Sequence, residues 1–149
     1  MLMLLFYVGD ERYVLESKLV VEVIPFVGLK KLHNAPDYVA GLFKYRSNIV
    51  PAIDLCQLFQ GTACRSVLSS RIVLVNYIRG DRTPQLLGLM AERVTQTLTK
   101  TEADLVDPGL IVNAAPYLGK IITDEQGMIQ CIRVEHLLPS SQEAYLLPE

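Results

Sequence analysis

Throughout the chain, apolar runs of about four to eight residues alternate with turn-forming residues, and no stretch sustains the 3.6-residue stripe of a long amphipathic helix. That pattern restricts the fold to short strands and tight connections. Residues 71–78 (RIVLVNYI) are β-branched enough for a central strand; Arg79-Gly80-Asp81 and the residues up to Pro84 turn the chain, and residues 85–91 return it. Residues 2–8 and 12–16 form an opening hairpin around Gly9-Asp10-Glu11, where glycine supplies the positive φ of a tight turn. A second hairpin joins 42–46 to 49–53 around Ser47-Asn48. Pro51 demotes its own strand to an edge, and Asp54 is placed to cap a short helix over 55–59. Three threonines among residues 95–99 favour a strand over 94–100, and a fourth hairpin joins 117–123 to 128–134.

Other segments are less decided. Residues 18–24 suit a buried strand or a helical turn, ended either way by Pro25, and residues 26–37 suit a surface connection. One helical turn is expected near 101–104 and another at 135–138, ended by Pro139. Residues 139–149 read as a polar tail with Tyr145, Leu146 and Leu147 as an anchor. Many short strands with few helices imply an all-β fold of small barrels, about five strands in each half. The polar stretch 61–70 sets the boundary between subdomains 1–65 and 66–138, with strand exchange possible at the termini. Two barrels side by side would leave a cleft between them.

The 149 residues are half hydrophobic and one-fifth charged, as in compact globular proteins. With 14 Lys and Arg against 16 Asp and Glu, the net charge is −2, and no basic stripe is present. Nucleic-acid binding is therefore disfavoured, because displacing phosphate counterions needs a cationic surface. The opening run Met1 to Val8 lacks a basic flank and a cleavage site and is shorter than the roughly 20 apolar residues that span a bilayer. A buried first strand is expected there, without membrane insertion. Cys56, Cys64 and Cys131 form no C-x-x-C pair; an odd count without an export signal predicts reduced thiols acting as small buried hydrophobes, and no metal site.

Catalytic patterns are missing. His33 and His136 are the only histidines, neither lies in a nucleophile motif, and no phosphate-binding glycine loop follows a strand. Asp54 and Glu92 can be imagined as an acid and base, but a helix cap for Asp54 and a turn or surface charge for Glu92 are the simpler expectations. Glu22, among valines, is expected to face solvent. Arg46, on a strand ending at a turn, has the planar fork that binds a carboxylate two ways; a local ion pair is the plain alternative. No cofactor is expected.

The ordered set Phe6-x-x-Gly9-x-Glu11-x-Tyr13-x-Leu15, Val20-x-Glu22-Val23-Ile24, Ala35-Pro36-Asp37-Tyr38-Val39-x-Gly41-Leu42, and Tyr45-Arg46 followed by residues 49–55 (IVPAIDL) resembles the CheW-like domain family. The likeness continues more loosely through residues 87–94 and 117–121, so that the whole chain reads as one such domain. The resemblance implies two five-stranded SH3-like β-barrels with short helices around a shared apolar centre. It also implies a cytoplasmic, non-enzymatic adaptor between the chemoreceptor tip and the regulatory domain of a CheA-type histidine kinase, with no catalytic centre. It assigns partner binding to Arg46, Tyr45, Lys44, Val39 and Leu42. Arg46 corresponds to the arginine of the family's N-L-R-G turn, which here reads Lys44-Tyr45-Arg46-Ser47, and serine in place of glycine predicts a reshaped turn. The family's L-L-D near the last strand is replaced by Cys131-Ile132-Arg133-Val134. The rival expectations are a small apolar ligand in the cleft between the barrels and, more remotely, an enzyme.

Overall fold

The computed structural model describes residues 1–78, 82–112 and 114–138. The expected turn at Arg79-Gly80-Asp81 and the tail with its Tyr145-Leu146-Leu147 anchor lie outside the described residues. The strands are β1 (Leu2–Val8), β2 (Glu11–Glu16), β3 (Val20–Pro25), β4 (Val39–Tyr45), β5 (Asn48–Asp54), β6 (Arg71–Ile78), β7 (Pro84–Ala91), β8 (Arg93–Thr99), β9 (Leu118–Asp124) and β10 (Gly127–Ile132). One α-helix, α1 (Leu55–Gln60), follows β5, and 3-10 turns occupy Ser17–Leu19, Glu102–Asp104 and Val134–His136. The undecided segment 18–24 thus splits between a 3-10 turn and a strand.

The strands form two five-stranded sheets, in the orders β8-β1-β2-β10-β9 and β3-β6-β7-β5-β4. Both follow one plan. Two antiparallel hairpins lie side by side, joined by a parallel pair, β2 with β10 or β7 with β5, and a single antiparallel strand completes one edge. The all-β expectation with five strands per unit holds. The boundary expected at residues 61–70 does not mark the division, because that stretch joins two strands of the second sheet. The chain enters the second sheet through the Ser17–Leu19 turn and leaves it at Glu92, so the first sheet is assembled from both ends of the sequence. Polarity marked a connection there; pairing between distant strands decided the units.

Alternation along each strand feeds two different cores. In β1, Leu4, Phe6 and Val8 belong to a central cluster between the sheets, while Met3 and Leu5 join Val14, Ile122 and Ile129 on the other face. In β6, Val73, Val75 and Tyr77 face the centre, and Ile72 and Leu74 pack with Phe43, Val50, Ala52 and Met90. Strands buried on both faces are apolar without a polar face, which is why residues 3–6 and 72–75 read as continuous runs. Each fully buried Leu, Ile or Phe contributes about 1.5–3 kcal/mol relative to exposure. Helix α1 closes one end of the centre, extending a row of rings: Phe6 to Tyr13 at 5.7 Å, Tyr13 to Phe59 at 4.9 Å, and Phe59 to Tyr117 at 5.0 Å.

Three local expectations change. The β4–β5 turn is Arg46-Ser47, with Tyr45 opposite Asn48, one residue earlier than expected. Pro51 sits in an inner strand, between β4 and β7, rather than at an edge; the parallel ladder with β7 begins only at Ala52, so the proline falls outside it. Cys56 and Cys64 are bonded to each other instead of being free thiols. Asp54 caps α1 by accepting from the Gln57 N–H at 3.0 Å, Gly61 ends the helix at φ 76°, and the chain returns with the two cysteine Cα atoms 5.0 Å apart. Only Cys131 is a free cysteine, its thiol pushed up to about 11 by burial.

Candidate functional site

Edge strands β3 and β4 of the second sheet meet at the tip of the β4–β5 hairpin. Tyr45 donates its hydroxyl hydrogen to Glu22 of β3, and Arg46 Nη2 lies 3.7 Å from the same carboxylate. A bond between the two ends of the strand order means that the sheet curls until its edges touch. That hydrogen bond to a carboxylate also raises the Tyr45 pKa above its ordinary value. Arg46 carries φ 56°, so the positive φ required by a two-residue hairpin falls on the first turn residue, arginine itself. The side chain is 77% exposed, and its guanidinium sits 5.2 Å from the Tyr45 ring.

Register fixes what surrounds this seam. Glu22 lies opposite Leu74, and Tyr45 packs with the Phe43 cluster, so both belong to the inner face of the curled sheet. Val23, Lys44 and Ile49 therefore lie on the outer face, with Val21 at a bulge beside them. All four are exposed, Ile49 at 53%. On that face Lys44 of β4 lies between Ile49 of β5 and the exposed valines of β3.

The five residues singled out from the sequence do not form one site. Lys44, Tyr45 and Arg46 gather at the hairpin tip. Leu42 is half-buried in mid-strand, where its backbone exchanges two 2.8 Å hydrogen bonds with Lys30. Val39, at the opposite end of β4, packs against the central core. Strand rise puts it about 20 Å from Arg46. Glu22 was expected only to face solvent, and Val21, Val23 and Ile49 were not assigned to partner binding; with residues 18–24 undecided between strand and helical turn, the open face of β3 was not legible.

Glu92 is buried, contrary to the surface role expected of it. It is the single residue between β7 and β8, where the chain changes sheets, and its carboxylate accepts from the backbone N–H groups of Gly9 at 3.1 Å and Arg65 at 2.8 Å. The Arg65 guanidinium adds contacts of 3.2 Å, and its hydrogen bond is the main cause holding the Glu92 pKa below the usual range. Asp54 accepts from Gln57 and Cys64. Both carboxylates are engaged by fixed backbone donors, an arrangement for holding loops rather than for moving protons.

The CheW-like domain family matches residues 2–142. The chain is 27% identical to the chemotaxis protein CheW of Helicobacter pylori over 135 residues, covering 89% of this chain and 78% of that protein. It is 26% identical to chemotaxis protein CheW of Klebsiella aerogenes over 144 residues, 95% of this chain and 83% of that one. The crystal structure of the scaffolding protein TtCheW from Thermoanaerobacter tengcongensis superposes with a TM-score of 0.81 at 24% identity, covering 95% of this chain and 89% of the other, which attests the shared fold. The ordered motifs, the paired five-stranded sheets and the match across nearly the whole length converge: this chain belongs to the CheW-like domain family.

Proposed function

We propose that this chain is a non-enzymatic, cytoplasmic adaptor of chemosensory signalling, linking the cytoplasmic tip of a chemoreceptor to the regulatory domain of a CheA-type histidine kinase. The observation that carries the reading is the family match over residues 2–142. It is supported by relatives named chemotaxis protein CheW and by engagement of Asp54 and Glu92 in structural contacts. Among the described residues no helix is long and apolar enough to cross a membrane.

The hairpin tip is the part of this surface best suited to partner contact. Val21, Val23 and Ile49 offer apolar area for a helical segment, and Arg46 and Lys44 offer cations to acidic residues at its rim. Contacts of this kind bury near or below the standard interface of about 1,600 Å², and assembly into arrays compensates by multivalency. Binding of the purified chain to a CheA-type kinase and to a receptor tip fragment tests the reading by titration calorimetry. Arg46→Glu is expected to weaken binding with the melting temperature nearly unchanged. Normal binding of both partners by that variant removes the role of Arg46; failure of the wild type to bind either removes the adaptor reading.

The ligand-binding alternative requires room between the sheets, where Phe6, Leu15, Tyr77, Leu87 and Leu89 are packed at 2% exposure or less. Nothing in that packing favours the ligand reading over the adaptor.

A further inference from the structure

We infer that Cys56 and Cys64 are a reversible dithiol–disulfide pair, a modification site for low-molecular-weight disulfides at the joint between the two sheets. Their Cα atoms are 5.0 Å apart, within the range a disulfide bridges without backbone movement. Groups other than the sulfurs hold the same geometry. Asp54 accepts from the Cys64 N–H at 3.0 Å, Glu92 accepts from the Arg65 N–H at 2.8 Å, and Ser70 Oγ donates to the Arg65 carbonyl at 2.6 Å. When the bond opens, these contacts keep the thiols side by side. Cys64 Sγ lies 3.4 Å from the Met90 carbonyl oxygen, an acceptor ready for the thiol proton. One backbone arrangement therefore accommodates both redox states.

Access is also present. Cys64 is only partly buried, and beside the pair lies an open hollow of about 350 Å³ lined by its bonded partner Cys56 with Gln60, Thr62, Ala63, Arg65 and Glu92, but not by Cys64 itself. The Cys64 thiolate attacks one sulfur of a disulfide RSSR, forming a mixed disulfide and releasing RS⁻. The Cys56 thiolate then attacks Cys64 Sγ and expels the second RS⁻. Two protein thiols become one disulfide, and RSSR takes up two electrons and two protons to become two RSH. The bond closes the loop that carries Arg65 to Glu92 and, through Glu92, to Gly9 of the first sheet. Disulfides of reducing compartments are mostly transient or redox-sensing.

A second chemistry competes for the same atoms. Ligand atoms of Asp54, Cys56 and Cys64 lie within 4.8 Å of one another, as a thiolate-rich cation site requires. Asp54 already accepts from Gln57 and Cys64, and the sulfurs are joined to each other. The disulfide is therefore the occupant proposed.

The test is equilibration of the full chain in glutathione buffers of graded ratio, followed by alkylation under denaturing conditions and intact mass measurement. Alkylated thiols are expected to fall from three to one with no glutathione adduct, and in Cys131→Ser from two to none. Cys56→Ser is expected to accumulate a single glutathione adduct at Cys64. The reduced protein is expected to keep its circular dichroism spectrum and to melt roughly 5 °C below the oxidised form, given an eight-residue separation and a chain of this size. Three alkylated thiols at excess oxidised glutathione, an unfolded reduced form, or one equivalent of zinc bound by the purified chain and lost in both cysteine variants would each overturn the inference. No partner is needed, so the outcome is independent of the adaptor reading.

Discussion

Replacing Glu92 by alanine is expected to be among the most damaging single changes outside the apolar clusters. The carboxylate accepts from the Gly9 and Arg65 N–H groups at 3.1 and 2.8 Å, both in partly buried positions. Hydrogen bonds to a charged group are worth about 1.5–3 kcal/mol each, and leaving the amides unpaired forfeits most of that. Two such bonds put Glu92→Ala at about 3–5 kcal/mol, or a fall in melting temperature of roughly 6–20 °C at 2–4 °C per kcal/mol. The ion pair contributes little beside them. Arg65 is 71% exposed, so its guanidinium is screened, and Arg65→Ala is expected to cost far less than Glu92→Ala because its own N–H remains. Urea denaturation of both single variants and the double variant, under non-reducing conditions, separates the contributions. If Arg65→Ala proves as costly as Glu92→Ala, the ion pair rather than the backbone bonds holds the joint and the reasoning is wrong.

Gly88→Ala is expected to destabilise by about 1–3 kcal/mol in the same assay, because a Cβ there would come within 2.7 Å of Phe43 and 2.8 Å of Ile72, both fixed in the second sheet's own core. Acid sensitivity follows from carboxylates held low. Asp124 is brought to about 2 by paired 2.7 Å hydrogen bonds from Arg12. Its contribution is complete above the unfolded carboxylate value near 4 and is lost as pH falls through about 2. Asp124→Asn should therefore flatten the acid limb of stability against pH below about 4, and an unchanged limb would contradict this. At the hairpin tip, Arg46→Gly removes the positive-φ penalty of an L-residue together with an exposed ion pair and the guanidinium contact with the Tyr45 ring. Denaturation is expected to show unchanged or slightly raised stability, while partner binding falls.

The hairpins were legible because turn chemistry is local. Gly9 at φ 61°, the β6 and β7 runs and the Asp54 cap each rest on contacts between near neighbours in sequence. The hairpin tip was legible only in part. Arg46 stood out as a cation at a turn, yet its carboxylate partner is 24 residues away on a strand that the sequence left ambiguous between helix and extended chain. That Val39 and Leu42 lie along β4 away from the tip was hidden for a related reason: alternation separates the faces of a strand but does not say how far along it a surface extends.

Glu92 and the cysteines expose a deeper limit. A glutamate followed by arginine after an apolar run looks like a strand end reaching water, and nothing nearby signals that the amides of Gly9 and Arg65 will surround it. Two cysteines eight apart with no motif look like packing residues until a helix and an αL glycine fold them together. The amino-acid order by itself determined where the chain extends and where it turns, since those preferences are set by each residue's own sterics and its immediate hydrogen bonds. Tertiary structure alone decided that β2 runs beside β10 and β5 beside β7, which faces became core, and which carboxylates were buried, because those outcomes depend on segments up to 117 residues apart meeting in space.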